Sequence, residues 1–177
     1  MIQSIRERDS KGEPMIELVR EIESKLIQRL VQLEIEAFGE GGMNAWHLVP
    51  LIRHGRVYVL KKEFEIVGLI QYMLDWDSPQ KAYMVGVSIS KDFQGLGLGT
   101  ELLKKSLKAL YRENIEKVEL TVDRNNVAAV KIYESKLGFK VMGCRKDEYG
   151  EGEDRLVMIL SLADFKNNDE CRVDQKR

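Results

Sequence analysis

Apolar residues recur at two different spacings along this 177-residue chain. Between residues 23 and 39 the leucines lie three to four positions apart, which is the spacing of one face of an α-helix. Between residues 56 and 90 three runs rich in Val, Ile and Tyr are separated by polar turns. Such runs are typical of consecutive antiparallel strands, so the chain combines both kinds of element.

The same reading of the whole chain predicts one domain with a mixed sheet. The predicted elements are a strand at 15–22, helices at 23–39 and 44–55, strands at 56–62, 65–76 and 81–90, a helix at 97–112, a strand at 117–123, a helix at 125–138, and strands at 139–149 and 153–162. The unit from 81 to 123 predicts a crossover between parallel neighbours, and the hairpins on either side predict antiparallel pairs. We expect a single domain at 15–162, a polar lead-in at 1–14 and a polar tail at 163–177.

Composition excludes several classes of partner. The net charge is −1, so the chain is not expected to bind nucleic acid or a membrane surface broadly. No apolar run approaches the ~20 residues that a membrane span needs. Cys144 and Cys171 match no metal-ligand spacing, which predicts no metal and two free thiols in a reducing cytoplasm.

The segment QGLGLGT, residues 94–100, gathers three glycines where a helix is about to begin. It is not a Walker loop, because no Gly-Lys-Ser/Thr ends it. It does not match Gly-x-Gly-x-x-Gly either, since Thr100 or Leu102 stands where the third glycine would be. A third interpretation is a strand, a turn and a helix whose first N–H groups bind a pyrophosphate, with the Gln94 amide as a further donor. The alternative is a tight turn without a ligand.

Two segments together resemble the GCN5-related N-acetyltransferases, the GNAT superfamily. They are VSISKDFQGLGLGTELL at 87–103 and NNVAAVKIYESKLGF at 125–139, and the likeness extends over about 56–162. The ending GCRKDEYGEGEDRLVM, at 143–158, resembles the branch that acetylates the N-terminal alanine of ribosomal proteins. The resemblance implies a mostly antiparallel sheet of six to seven strands, a central parallel pair that splays apart, and four flanking helices.

The resemblance also implies acetyl-coenzyme A as co-substrate and an amine as acceptor. The pantetheine arm would pair with the strand backbone in the splayed gap, the pyrophosphate would lie on the glycine loop, and Tyr133 would lie beside the thioester sulfur. The residues expected to bind the co-substrate are Val87, Ser88, Ile89, Gln94, Gly95, Leu96, Gly97, Leu98, Gly99, Thr100, Asn126, Ala129 and Tyr133. Asn126, Ala129 and Tyr133 share one helix face at i, i+3 and i+7.

This family assignment predicts transfer of an acetyl group to a primary amine by direct attack in a ternary complex. The acceptor would be either a protein N-terminus or a small amine or amino acid, and the chain would be a monomer or homodimer. The alternative from another class is a CoA-binding sensor or interaction module without catalysis.

The chemistry needs a proton for the departing thiolate, a donor for the thioester oxygen and a neutral amine. The neutral Tyr133 phenol suits the first role, and a backbone N–H at Val87 or Ser88 suits the second. Gly86 is either a bulge near that donor or an ordinary strand glycine.

The sequence does not decide which residue acts as the general base. Thr121 stands where the alanine-acetylating branch has a glutamate, so Glu119 or Asp123 is the candidate, directly or through water, unless no base is needed. On the acceptor side, Tyr149 would face the substrate, and Trp46 and His47 are candidates for the pocket wall. Acidic residues near the first helices and the 75–80 turn are expected to be exposed and able to attract a cationic amine, namely Glu34, Glu36, Glu40, Asp75 and Asp77.

Overall fold

Seven strands form one sheet with helices on both of its faces. The structure is a computed structural model that describes residues 13–167, so the predicted lead-in, most of the predicted tail and Cys171 lie outside the described residues. The strands are β1 Met15–Leu18, β2 Arg56–Lys62, β3 Glu65–Leu74, β4 Lys81–Ile89, β5 Lys117–Asp123, β6 Lys140–Arg145 and β7 Arg155–Ser161. The helices are α1 Ser24–Phe38, α2 Ala45–His54, α3 Leu98–Arg112 and α4 Val127–Lys131.

The strand order is β1-β2-β3-β4-β5-β7-β6. Every neighbouring pair is antiparallel except β4 and β5, which are parallel and are connected through α3. The mixed, mostly antiparallel sheet, the single parallel pair and the four flanking helices are therefore confirmed.

The parallel pair is joined over a short distance only. Residues 81–83 of β4 pair with residues 117–119 of β5, and beyond that point the two strands run on without pairing to each other. On its other side, β4 carries a bulge, because Met84 lies opposite Tyr72 while Gly86 lies opposite Gln71. The extra residue is Val85, and a bulge of this kind bends its strand. The sheet thus opens a gap between β4 and β5.

Two apolar layers hold the helices on the sheet. Leu102 and Leu107 of α3 are fully buried against one face, together with Leu120 of β5. Leu30 and Leu33 of α1 are fully buried against the opposite face. Because side chains alternate along a strand, the neighbours of Leu120 in β5 point to the α1 side. The gap therefore has an α3 side and an α1 side.

The fourth helix is not continuous, although the sequence predicts one helix over 125–138. Regular α-helix ends at Lys131, and residues Ile132–Leu137 form a π-helical turn that Gly138 ends at a φ of 88°. Turns of this kind are frequent at functional sites. This one begins immediately before Tyr133.

The strand ends also differ from prediction. β1 ends at Leu18, four residues earlier than the apolar pattern suggests, and β6 ends at Arg145. After β6 the chain enters a loop in which Asp147 has a φ of 52° and accepts a bond from the Gly152 N–H at 2.7 Å. A strand cannot continue through that conformation.

The packed chain continues beyond Leu162. Residues 162–167 are helical, and Phe165 is 3% exposed within the α3-side core. The Leu162 N–H donates to the Glu116 carbonyl at 2.8 Å, which ties this end to the chain before β5. None of the helices within 13–167 has the length and apolar character to span a bilayer.

Candidate active site

The glycine loop presents a row of backbone N–H groups to solvent. α3 begins at Leu98, and its first helical hydrogen bond runs from the Glu101 N–H to the Gly97 carbonyl at 3.1 Å. The N–H groups of residues 95–100 therefore lie before that first bond, and no acceptor within 13–167 receives them. They stand at the positive end of the α3 dipole. This is an arrangement that binds an anion.

Two of the three glycines are required by backbone conformation. Gly95 and Gly97 have φ values of 76° and 80°, a region that costs other residues roughly 1–2 kcal/mol. No atom lies within 4 Å of the place a Cβ would occupy at either position. Gly99 differs, since its Cβ would lie at an ordinary 3.5 Å from Ile89 Cγ1. The turn thus needs glycine and at the same time leaves open space above the N–H groups.

Gln94 has a bond that the sequence did not indicate. Its Nε2 donates to the Ile89 carbonyl at 3.0 Å, which anchors the loop to the end of β4. We call the row of N–H groups at residues 95–100 the N–H cradle. The Gln94 side chain therefore positions this cradle, whereas the sequence suggested that it would donate to the pyrophosphate.

The backbone of β4 has free hydrogen-bonding groups in the gap. The Ser90 N–H donates to Val67 of β3 at 2.8 Å. Because successive N–H groups of a strand alternate in direction, Ser88 also faces β3, while Val87 and Ile89 face the gap. The Ser88 side chain is 3% exposed on the α1 side. Of the three predicted strand residues, Val87 therefore directs both backbone groups into the gap, and Ile89 offers its N–H, since its carbonyl accepts from Gln94.

Tyr133 lies in the α3-side core. Its ring packs 5.7 Å from that of Phe139, and the residue is 8% exposed. Burial raises the pKa of the Tyr133 hydroxyl to about 12. No hydrogen bond joins this hydroxyl to another described residue. The phenol is therefore neutral at physiological pH and has its proton available to donate.

Asn126 has a structural role that is independent of any ligand. Its Oδ1 accepts from the Ala129 N–H at 3.2 Å and so caps α4. The residue is exposed, and Ala129 packs partly against the core. Asn126 thus still presents its side-chain amide to solvent near the start of the helix that carries Tyr133.

A cluster of three hydroxyl groups lies on the α1 side, where β4 and β5 separate. The Tyr83 hydroxyl lies 2.8 Å from Thr121 Oγ1 and 3.3 Å from the Tyr149 hydroxyl. Burial raises the pKa of Tyr83 to about 12, and Tyr149 is 63% exposed. We call Tyr83, Thr121 and Tyr149 the hydroxyl cluster. Sequence reasoning missed Tyr83, because the strand pattern gives no sign that it would meet Thr121 across the parallel pair.

The two predicted bases are both engaged in other bonds. Glu119 is 7% exposed, and its two oxygens lie 3.1 Å from Lys81 Nζ and 2.8 Å from an Arg145 guanidinium nitrogen. Lys81 also lies 2.8 Å from Asp75 Oδ2. Asp123 accepts from the N–H of residue 125 at 2.8 Å. Glu119 therefore clamps the paired end of β4 and β5, and the ion pair with Arg145 was not foreseen from sequence.

Three other predicted acceptor-side residues have different surroundings from those expected. Glu34 is 1% exposed, so its predicted exposure is wrong. His47 takes part in the cap of α2, where its Nδ1 accepts from the Asn44 N–H at 3.4 Å. Trp46 is 87% exposed and therefore forms no closed pocket wall.

Comparison with known proteins identifies the family to which this site belongs. A model of the Acetyltransferase (GNAT) family matches residues 18–139. The chain belongs to the GNAT acetyltransferase family. It is an acetyltransferase by that membership, and the resemblance on which the sequence prediction relied is confirmed.

Two relatives are named as N-alpha- or alanine N-acetyltransferases. An N-alpha-acetyltransferase of Sulfolobus acidocaldarius is 28% identical over 147 residues, which cover 77% of this chain and 87% of the relative. The Escherichia coli [ribosomal protein bS18]-alanine N-acetyltransferase is 31% identical over 99 residues, or 54% of this chain and 63% of the relative.

Solved structures have the same fold. A crystal structure of the E. coli ribosomal-protein-S18-alanine N-acetyltransferase aligns at a TM-score of 0.72 and 20% identity, covering 85% of this chain and 94% of the other. A Bacillus subtilis acetyltransferase in complex with CoA aligns at a TM-score of 0.68 and 16% identity, covering 84% and 99%.

Replacing Glu119 tests whether it is a clamp or a base. We expect Glu119→Gln to lower the free energy of unfolding by about 1–3 kcal/mol, because two cations lose their buried partner. Urea unfolding measures this change, with Glu148→Gln as the control, since Glu148 is an exposed partner of Arg145 and should change stability by less than about 1 kcal/mol. Full stability of Glu119→Gln, together with a loss of activity, would instead identify a base.

Stability should fall in alkaline solution because of the buried tyrosines. Burial raises the pKa of Tyr83 and of Tyr133 to about 12, so the folded chain holds these protons more tightly than the unfolded chain, whose phenols titrate near 10. The resulting stabilisation is complete below about pH 10 and is lost as the pH rises toward about 12. Tyr133→Phe has no phenol to ionise at this position, so its free energy of unfolding, measured with urea, should fall less than that of wild type, and the two pH profiles should diverge over this interval. Parallel pH profiles for the two proteins would contradict the assignment.

Proposed function

We propose that this chain transfers an acetyl group from acetyl-coenzyme A to the α-amino group of a polypeptide, by direct attack in a ternary complex. The observation that carries the proposal is the position of the two partial sites on opposite sides of one gap. The N–H cradle of residues 95–100 and the free β4 backbone suit the donor substrate. The hydroxyl cluster lies at the same gap from the α1 side and suits the acceptor.

The residues present fit the pyrophosphate and the pantetheine arm of acetyl-coenzyme A. The open N–H groups of residues 95–100 would hold the pyrophosphate, and Val87 and Ile89 would pair with the amides of the pantetheine arm. Asn126 lies at the start of the helix that leads to Tyr133, where the arm ends. When bound, this co-substrate supplies the activated acetyl group.

The polypeptide is favoured over a small cationic amine because the acceptor side is open and Glu119, the carboxylate at the paired end of β4 and β5, is neutralised by cations. Tyr149, Phe38 and Met73 are 63%, 48% and 43% exposed, and Met73 pairs directly opposite Tyr83 in the sheet. Glu119 is held by two cations. A polyamine would need an enclosed acidic pocket, whereas Tyr149, Phe38 and Met73 are exposed at the surface.

The chain's own residues cover each demand of the reaction. The hydroxyl cluster orients the neutral amine, whose nitrogen forms the new C–N bond to the thioester carbon. The Val87 N–H faces the gap and stabilises the negative charge that develops on the thioester oxygen. As the C–S bond breaks, the Tyr133 phenol gives its proton to the sulfur and recovers one from water. The proton that the amine loses passes to water, so no carboxylate base is required.

A CoA-binding module without catalysis is the second candidate. It is favoured by the engagement of both candidate carboxylates, Glu119 and Asp123, in structural bonds. Thiol release separates the two functions. The acceptor panel consists of short peptides beginning with Ala, Ser or Met and of spermidine. Turnover with a peptide supports the proposed function, and binding of acetyl-coenzyme A without turnover on any amine supports the module.

The cradle is tested by placing a negative charge in it. Thr100→Glu should leave the fold intact or stabilise it by about 0.3–1 kcal/mol, because an acidic residue in the first turn complements the helix dipole. The same carboxylate competes with phosphate for the N–H groups, so CoA affinity should fall at least about tenfold. Calorimetric titration measures the affinity, with Thr100→Gln as the uncharged control of equal size. Equal affinity in the two variants would rule out a pyrophosphate at this helix.

Tyr133 is tested by removing only its hydroxyl. Because that hydroxyl bonds no described residue, Tyr133→Phe should keep the free energy of unfolding within about 0.5 kcal/mol. Loss of the proton donor should lower kcat about 100-fold or more and leave the dissociation constant for CoA unchanged. Thiol-release assays measure kcat, and calorimetry measures the dissociation constant for CoA. An unchanged kcat would remove Tyr133 from the chemistry.

A further inference from the structure

A buried polar group lies on the α1 side of the gap, and the proposed chemistry does not use it. Glu34 of α1 is 1% exposed, and Gln71 of β3 is fully buried. Glu34 Oε1 accepts from Gln71 Nε2 at 2.9 Å and lies 3.4 Å from Ser88 Oγ. Its other oxygen accepts from the Met43 N–H at 3.2 Å. No cation accompanies this carboxylate in the described part of the chain.

The carboxylate fixes the orientation of the Gln71 amide. Gln71 Nε2 donates to Glu34 Oε1, so the NH₂ group of Gln71 faces Glu34. The amide oxygen is then directed away from Glu34. This Gln71 Oε1 is the only buried side-chain nitrogen or oxygen in residues 13–167 without a hydrogen-bond partner. An unpaired buried acceptor costs roughly 1–3 kcal/mol, so its retention needs an explanation.

The unpaired oxygen lies next to the bulge of β4. Gln71 and Gly86 are opposite each other in the sheet, and a Cβ on Gly86 would lie 3.1 Å from Gln71 Oε1. The Phe38 ring borders the same point at 4.0 Å. Gly86 directly precedes Val87, whose N–H faces the gap. The Gln71 oxygen is thus adjacent to the part of the strand that would hold the thioester.

We propose that the Gln71 side-chain oxygen accepts a hydrogen bond from the reacting amine of the acceptor, and that Glu34 is the positioning residue that holds the amide in this orientation. The inference rests on the proposed function, because it needs an amine in the gap. The bond takes no proton from the amine; it orients the N–H so that the nitrogen lone pair faces the thioester carbon.

Phe38 is the half-exposed residue next to Gly86. Gln71 is fully buried, while Phe38 is the last residue of α1. The proposed bond therefore requires the Phe38 ring to turn aside, so that the amine can reach the Gln71 oxygen.

The test uses three variants of the full chain and the fastest peptide of the acceptor panel. Gln71→Met keeps the volume and removes the acceptor oxygen. Glu34→Gln lets the new amide donate to the Gln71 oxygen and so occupies it. The double variant, which combines Glu34→Gln with Gln71→Glu, exchanges the two side chains and restores the pattern. In it, the amide now at position 34 would donate to one oxygen of the carboxylate now at position 71 and leave the other oxygen toward Gly86.

Each single variant should raise KM for the peptide about tenfold or more, because roughly one hydrogen bond to the peptide is lost. The dissociation constant for CoA, measured by calorimetry, should stay within about twofold of the wild-type value. The exchange should recover most of the peptide affinity. A merely structural role would change CoA affinity and peptide KM together, and that result would overturn the proposal. Should Glu34→Gln fail to fold, Gln71→Met alone decides, since an unchanged peptide KM would also overturn it.

The outcome for wild type separates this inference from the proposed function. If wild type turns over a peptide and the variants have an unchanged KM for it, the role of Gln71 is refuted and the acetyltransferase assignment stands. A wild type that binds CoA and turns over no peptide and no spermidine would refute both.

Discussion

The separation of β4 from β5 immediately after Tyr83 and Glu119 is the constraint on which the rest of the site depends. Glu119, Lys81 and Arg145 hold the strands together at one end through buried or half-buried ion pairs. The extra residue Val85 bends β4 away at the other end. Without the ion pairs, the first of these ends would be held by the backbone pairing of residues 81–83 with 117–119 alone. The result of the separation is a gap, lined by backbone N–H groups of β4, in a sheet whose other neighbouring strands are paired.

The gap explains why the two halves of the proposed reaction would lie on different faces of the sheet. α3 and the helix of Tyr133 cover one face and approach the gap with the N–H cradle and a neutral phenol. α1 covers the other face only as far as Phe38, so the hydroxyl cluster stays accessible. A donor and an acceptor can then meet through the sheet without sharing a pocket. This separation suits attack within a ternary complex.

The fold and the position of the glycine loop before α3 were largely predictable from sequence because their signals are local. The leucine spacing of α3, the Val-rich strands and the glycine loop each depend on neighbours along the chain. The positive φ values of Gly95 and Gly97 explain two of the three glycines that the sequence singled out. The site roles assigned to Asn126 and Tyr133 remain predictions, although the structure places both at the expected helix.

The acceptor side was less predictable because it is assembled from contacts between distant residues. Tyr83 meets Thr121 across the parallel pair, Arg145 reaches Glu119 from β6, and Glu34 is buried beneath Gln71. A charged residue at a helical surface position is usually solvated, so no local pattern distinguishes Glu34 from its exposed neighbours. The π-helical turn at Tyr133 was missed for a similar reason, since its sequence is compatible with a regular helix.

Amide hydrogen exchange in the free and CoA-saturated chain tests the gap most directly. The N–H groups of Val87 and Ile89 face an unpaired edge, so CoA should slow their exchange by about tenfold or more as each gains a hydrogen bond. Ser88 and Ser90 already face β3 and serve as internal controls that should not change. If Val87 and Ile89 exchange as slowly as Ser88 in the free chain, or are unaffected when CoA is bound, the gap is not the binding site for the co-substrate.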